Sequence, residues 1–344
     1  MSDIRVEMCR FLNDAPFAYS TTYDEGTVDC FANAYPVHKA LGIPGHVNVV
    51  AGQLGQVRNC FGSSLNGYMH MSVEELRYLI ERGWGIGNHS WSHFVHPIQP
   101  GLDMWRELVW SKYRLEEDLD RPIRIFALCS DFYNYDPMIE LVKQHHLACV
   151  TNHILSPNRD GFDVYGIGNF RLSSGPFPPR PSWPEKLKTE NIDLEAVEGA
   201  WLLDTTHLCM WDVPQARKCV TPADLTRRLE KMLEISNEKV WAAIPDDIID
   251  YVLLRRALGV DLLESSPGRV RFQFTGEWPV GIVHSLLTLR VTGVGRPVNP
   301  SVTVESDTLP GANQRREIGE IRTQGDDLLV TMDAVPGRIT EIKL

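Results

Sequence analysis

The sequence predicts an α/β domain followed by a small all-β unit, and three observations predict it. From Arg5 to about Arg256, short apolar runs alternate with amphipathic stretches, the order of strand and helix in turn. After Ser265-Ser266-Pro267-Gly268 the pattern changes to period two, as strands require. The length of 344 residues exceeds what one core holds, since single cores stop growing near ~250–300 residues. Two units are therefore expected, 1–264 and 265–344.

The elements follow in order. Thr22-Tyr23-Asp24-Glu25-Gly26 closes the first strand of the α/β part with two adjacent acids. Gly45 to Val50 reads as a buried strand after the break at Leu41-Gly42-Ile43-Pro44. A helix over 72–80 opens with a Ser72 cap and Glu75 three residues on, and ends at Gly83. Trp84 to Gly87 is short and apolar enough to be the next strand. Asn88 onward then lies at a strand's C-terminal end, the rim where parallel α/β folds do their chemistry. Met104 to Leu119 has helical spacing, Ile123 to Leu128 reads as a strand and Pro137 to His146 as a helix. Phe170 to Pro184, rich in Pro, Gly and Ser, reads as an irregular loop. Ala200 to Leu203 resumes as a strand before Thr205-Thr206-His207, and Thr221-Pro222 starts a helix with proline at its first position. Val240 to Ile244 is another strand and Asp246 to Leu258 a last helix. The period-two runs are Arg269–Phe274, Leu286–Val291, Ser301–Val304, Leu328–Met332 and Arg338–Leu344.

Composition excludes several classes of function. With 43% hydrophobic and 23% charged residues the chain is that of a globular protein with a real core. A net charge of −11 argues against nucleic acid and anionic membrane as partners. The seven cysteines are scattered with no Cys-x-x-Cys pair, which suits reduced thiols. Met1 to Phe11 carries Asp3, Arg5, Glu7 and Arg10, and no apolar run approaches ~18 residues, so a cytoplasmic location is expected. Asn88-His89-Ser90 matches a glycosylation sequon, but its histidine has a better explanation.

Two motifs carry chemistry. His89-Ser90-Trp91-Ser92-His93 sets two imidazoles at i and i+4, a spacing that on a helical turn puts both rings on one side, close enough to share a metal ion. Alone, such a pair is more often capping or core histidine. Asp24-Glu25, followed by Gly26, sets two carboxylates pointing different ways on extended chain, so one can bind a cation while the other accepts a proton; alone, it reads as a solvated turn.

Taken together, these stretches resemble the polysaccharide deacetylases, carbohydrate esterase family 4 or the NodB homology domain. Glu74 to His93 closely resembles that family's second motif, and Tyr23-Asp24-Glu25-Gly26 is similar to its first, an aromatic followed by Asp-Asp-Gly. Trp201-Leu202-Leu203-Asp204-Thr205-Thr206-His207 looks like its last histidine motif, and Val240 to Asp247 resembles its closing strand and turn. The resemblance spans roughly 15–258 and implies an irregular (β/α) barrel. It also implies a divalent metal ion, zinc before other transition metals, held by Glu25, His89 and His93, with Asp24 as general base and His207 as general acid. The implied reaction removes an acyl group, N-acetyl foremost, from a carbohydrate or small acylated substrate. Two departures stand out. Glu25 is one methylene longer than the family's Asp. Where the third motif usually has Arg and then Pro, Phe126-Ala127-Leu128-Cys129-Ser130-Asp131 has Ala127 and Cys129; Arg124 and Arg171 are the nearby substitutes.

Weaker candidates are His145-His146 at a helix end, Cys129 and Cys209 near the site, Trp91, Trp201 and Trp211 as a sugar-stacking floor, and Asp204 or Asp212 as the partner of His207. Two other functions compete: a metal-independent amide or ureide hydrolase of the same superfamily, and a carbohydrate-binding protein without turnover. The C-terminal unit either covers a barrel face or mediates self-association into a homo-oligomer.

Overall fold

The structure, a computed structural model, describes residues 4–59, 62–94, 96–98, 100–129, 135–151, 155–175, 185–266, 268–295, 300–304 and 320–344. Cys60, Ser130, Asp131, Pro267 and positions 176–184 of the Pro-rich loop lie outside them. The chain forms two compact units, Phe17–Asp246 and Met1–Pro16 with Asp247–Leu344.

In chain order the strands begin with β1 (Arg5–Met8), part of the second unit. The first unit holds β2 (Ala18–Glu25), β3 (His46–Val49), β4 (Gly85–Asn88), β5 (Ile125–Ala127), β6 (Ala148–Val150), β7 (Phe170–Arg171), β8 (Trp201–Thr206), β9 (Leu208–Cys209), β10 (Cys219–Val220) and β11 (Trp241–Ala242). Between them run helices α1 (Tyr35–Leu41), α2 (Val73–Ile80), α3 (Ser111–Leu119), α4 (Asp136–His145), α5 (Leu194–Val197) and α6 (Pro222–Ile235). A curled parallel sheet of order β6-β5-β4-β3-β2-β8-β7, with β11 beside β2, is the frame.

Alternation along the strands sorts the side chains. Phe17, Tyr19, Tyr23, Val47, Val49 and Ile86 join the main hydrophobic core with Leu76, Leu79, Leu225 and Leu229 from α2 and α6. The intervening positions, Ser20, Thr22 and Asp24 on β2, His46 and Asn48 on β3, and Gly85 and Gly87 on β4, are buried on the opposite face. That face is polar and small, and it leads to the C-terminal rim.

Caps fall where the sequence puts them. Ser72 Oγ accepts from the Glu75 amide at 3.2 Å while Glu75 Oε2 accepts from the Ser72 amide at 2.8 Å, the reciprocal box that starts α2. Thr221 Oγ1 accepts from the Asp224 amide at 3.1 Å, with Pro222 at the first helical position of α6. The stretch read as one helix over 104–119 instead begins with a π-helical turn at Arg106–Trp110 before α3.

The second unit contains α7 (Pro245–Ala257) from Asp247 on and two four-stranded antiparallel sheets. β1 pairs with β14 (Leu286–Thr292), which pairs with β17 (Asp327–Asp333), and β16 (Ile321–Gln324) borders β17. The other sheet runs β12 (Leu258–Ser266), β13 (Arg269–Gly276), β18 (Ile339–Lys343), β15 (Ser301–Val304). The sequence reading ends a helix at Leu258 and assigns no element to residues 259–264, where β12 runs. Its Leu-Gly-Val-Asp-Leu-Leu-Glu-Ser-Ser run has no apolar alternation because it is largely exposed, and the pairing with β13 makes it a strand. Among the described residues no helix is long and apolar enough to cross a membrane.

Candidate metal centre and its surroundings

Strand register brings the candidate residues to one rim. Asp24 is level with Asn48, Glu25 with Val49, Val49 with Asn88, Asn88 with Phe126, and Tyr23 with Thr206. Asp24-Glu25, His89 and His207 therefore all sit at or just past the C-terminal ends of neighbouring parallel strands, where backbone stops pairing and side chains are free to converge.

Glu25, His89 and His93 offer ligand atoms that all lie within 4.8 Å of one another, the one such group of three among the described residues. His89 is fixed twice: its amide donates to Val49 O at 2.8 Å, and its Nδ1 lies 2.9 Å from Ala127 O. A carbonyl only accepts, so Nδ1 carries the ring proton and Nε2 keeps its lone pair. His93 Nε2 stands 3.1 Å from Glu25 Oε1. The two rings are 5.0 Å apart between centroids.

The convergence does not come from the helical turn that the i, i+4 spacing suggested. Ser90 and His93 have φ of +67° and +54°, so residues 89–93 form an irregular loop with two left-handed residues. Local hydrogen bonds pay for that strain: the Ser90 amide donates to Asn88 Oδ1 at 3.0 Å and the His93 amide to Ser90 Oγ at 2.8 Å. Glu107, fully buried in the π-helical turn, anchors the same loop by accepting from the Trp91 and Ser92 amides at 3.1 and 2.8 Å and from Ser92 Oγ at 2.9 Å. The loop also buries the Asn88-His89-Ser90 sequon.

Glu25 is fully buried with φ of +85°. Burial alone would raise its carboxyl, but His93, Arg58 and His89 together hold it well below the usual carboxylate range. Arg58 Nη1 donates to Glu25 Oε2 and Arg58 Nε to Ser63 Oγ at 2.8 Å, with Arg58 itself 1% exposed. Beside it His70 is pushed down to about 4, by burial first and then by Arg58. Oε1 of Glu25 and Nδ1 of His93 are buried without a hydrogen bond of good geometry. Two imidazoles and one carboxylate oxygen with a spare lone pair suit a divalent transition metal, so this donor set fits such an ion.

Asp24 is buried, and Asn48 Nδ2 donates to its Oδ1 at 2.8 Å while Thr205 Oγ1 reaches its Oδ2 at 3.4 Å. Arg124, one of the two nearby substitutes for the third-motif arginine, donates to Asp246 Oδ1 at 3.2 Å. His207 has a buried, unpartnered Nδ1. Burial first, then Arg171, drives its ring well below 6.5, with Lys218 adding to the effect. Asp204 does not orient it, because both Asp204 oxygens accept from Arg228, at 2.7 and 3.1 Å, and one from Tyr19 as well. Arg58, Asn48 and Glu107 escaped the sequence reading, since an isolated Arg, Asn or Glu outside a motif carries no signal until the fold places it.

The weaker candidates divide. Trp201 is core, bonded through Nε1 to Ser20 Oγ at 3.1 Å, while Trp211 is exposed and Trp91 half-buried. His146 is buried with its ring 5.4 Å from that of Phe126, and its neighbour His145 meets Trp105 edge to face, with ring centroids 5.2 Å apart. Cys129 and Cys209 are buried free thiols, and burial raises both well above the ordinary thiol value.

Residues 14–150 match the family model described as polysaccharide deacetylase, bearing out the resemblance read from the motifs. That stretch contains Asp24, Glu25, His89 and His93 and ends before His207. The family's enzymes hydrolyse N-acetyl amide bonds. No curated protein matches the chain. Among solved structures, IcaB from Ammonifex degensii is 22% identical, with 45% of this chain and 67% of that one covered and a TM-score of 0.38. The Streptococcus pyogenes deacetylase PplD, solved with acetate, is 20% identical over 44% of this chain and 62% of its own, with a TM-score of 0.34. This chain thus spans less than two thirds of that deacetylase. The Xyl-CE4 domain of a multidomain xylanase from the hindgut metagenome of Trinervitermes trinervoides is 12% identical over 67% and 89%, with a TM-score of 0.36.

Proposed function

We propose, on the premise that residues 14–150 are those of a polysaccharide deacetylase, that the protein is a metal-dependent hydrolase removing an acyl group, N-acetyl foremost, from a carbohydrate or sugar derivative. The observation that supports it most is the convergence of Glu25, His89 and His93 within 4.8 Å at a rim that also carries Asp24 and His207. Glu25 Oε1, His89 Nε2 and a ring nitrogen of His93 would hold the ion, zinc before other divalent metals. When bound, it polarises the acyl oxygen and makes water more acidic.

The chain's own groups do the rest. Asp24, held by Asn48 and Thr205, takes a proton from the attacking water. His207 is neutral at rest, because burial and then Arg171 disfavour its charged form. Negative charge developing beside it in the reaction favours its protonation from solvent, it delivers that proton to the departing amine, and the proton taken by Asp24 returns to solvent as the acid product leaves. Water thus adds to the acyl carbon, the C–N bond breaks, and acid and amine leave. The same reading takes the curled sheet as an irregular (β/α) barrel and the antiparallel sheets as a small sandwich-like unit.

One observation favours a second reading. The Arg58 guanidinium already neutralises Glu25, as a metal-independent amide or ureide hydrolase of this fold would need. Metal content of the purified protein, followed by acetate release from N-acetylglucosamine oligomers before and after chelation, decides between them. We expect activity to vanish on chelation and return with zinc, and Asp24→Asn to lose about 100- to 10,000-fold in kcat. Turnover that survives chelation favours the second reading; oligomer binding without turnover, unchanged in Asp24→Asn, makes the protein a carbohydrate binder.

A further inference from the structure

Asp24 draws side-chain support from the polar face of the sheet, and that support extends further than its first hydrogen bond. Asn48 is fully buried, and its amide has one useful orientation, because a flip would set a carbonyl oxygen against the Asp24 carboxylate. Something must therefore hold the other end of the amide. The Asn48 oxygen has no partner of good geometry, and neither does either ring nitrogen of His46, two residues earlier on the same face of β3. Both lie over Gly87: a Cβ there would collide with Asn48 Oδ1 and come within 2.8 Å of His46 Nε2. A Cβ at Gly85 would likewise strike the His46 ring. The two glycines of β4 leave room for these two polar side chains.

The far side of His46 is closed by charge. Its Nδ1 lies 3.6 Å from Asp246 Oδ2, beyond hydrogen-bond reach, while Arg124 Nε engages the other oxygen, Oδ1, at 3.2 Å. The charged groups that act on the ring are Asp246 and Arg121, with Asp24 beyond Asn48, and burial keeps it neutral. A neutral imidazole has one proton and two buried acceptors without partners beside it, Asp246 Oδ2 on the Nδ1 side and the Asn48 oxygen on the Nε2 side; of the two, the Asn48 side chain acts on the ring as a hydrogen-bonding group and Asp246 by charge alone.

We propose that His46, through an Nε2–H bond to Asn48, makes Asn48 the positioning residue that aims Asp24, so that a neutral strand pair does here what an arginine would do from the third motif. The inference rests on Asp24 being the base, and its test separates the two. Ring nitrogen spectra of the ¹⁵N-labelled wild type, with His46 assigned from its absence in His46→Gln, report the tautomer without any substrate. We expect the Nε2–H form, and slow exchange of the Asn48 side-chain amide that His46→Leu speeds by at least about tenfold and His46→Gln, which keeps a donor, does not. In the deacetylation assay Asn48→Leu and His46→Leu should lower kcat about 10- to 100-fold with KM and cobalt affinity unchanged, and His46→Gln should restore most of it. An Nδ1–H or doubly protonated His46, or an Asn48 amide indifferent to His46→Leu, overturns the proposal. Full activity in Asp24→Asn would instead remove the base assignment and leave the tautomer result standing.

Discussion

A carboxylate cut off from water costs several kcal/mol to ionise unless an opposite charge or strong donors meet it. Glu25 is met by Arg58 on one oxygen and His93 on the other, with both Glu25 and Arg58 at 1% exposure or less. Arg58→Met leaves the acid without its fixed counter-charge, so the metal-free variant should lose about 3–5 kcal/mol in urea unfolding. Zinc should recover more stability in that variant than in the wild type. Equal zinc stabilisation in both would mean that no ion shares Glu25. Buried histidines set a second residue-scale expectation. Burial pushes His38 down to about 4 and His146 to about 3. Each stays neutral in the folded chain while its unfolded counterpart takes up a proton below about 6.5, so the unfolded state binds more protons there. Stability is then complete above that pH and falls as pH drops towards 4, by an amount on the order of 3 kcal/mol per histidine. Denaturation midpoints between pH 7 and 4 check this, and substituting His146 with Gln should flatten the slope.

At the scale of elements, the loop over residues 89–93 depends on a neighbour from another element of the fold. Residues 89–93 leave β4 with two left-handed backbone residues, and the π-helical turn at Arg106–Trp110 presents Glu107 to the amides of Trp91 and Ser92. The loop is strained by itself and stable only against that carboxylate. Glu107→Leu keeps much of the volume and removes all three of its hydrogen bonds to that loop. Zinc affinity should fall about 10- to 100-fold, as losing an outer support of metal ligands commonly does, with the rest of the unit still folded. A competition titration with a chromophoric chelator measures it, and unchanged affinity would show that the loop holds its shape unaided.

At the scale of the whole molecule, the first residues of the chain serve the last unit. β1 pairs with β14 from Arg5 opposite Thr292 to Met8 opposite Leu289, Asn13 Oδ1 accepts from Thr331 Oγ1 at 2.8 Å, and Arg290 pairs with Asp14. Deleting residues 1–16 strips that strand from its sheet while leaving every site residue in place. Calorimetry should show a lowered transition for the β unit, and zinc affinity should match that of the full chain. A loss of zinc binding on this truncation would tie the site to the β unit.

Much of this was legible in the residues themselves. The Ser72–Glu75 box, Pro222 after Thr221 and the apolar runs of β3 and β8 are local chemistry, so the sequence alone settles where those elements lie. The residue types at Asp24, Glu25, His89 and His93 likewise name the side chains proposed for metal and proton work, because donor type is a property of the residue. The sequence could not show that His93 comes round through left-handed backbone, that Arg58 sits on Glu25, that Asn48 donates to Asp24, or that β1 belongs with β14. Those are contacts between positions tens to hundreds of residues apart, and only closing the sheet, which sets register and burial together, decides them.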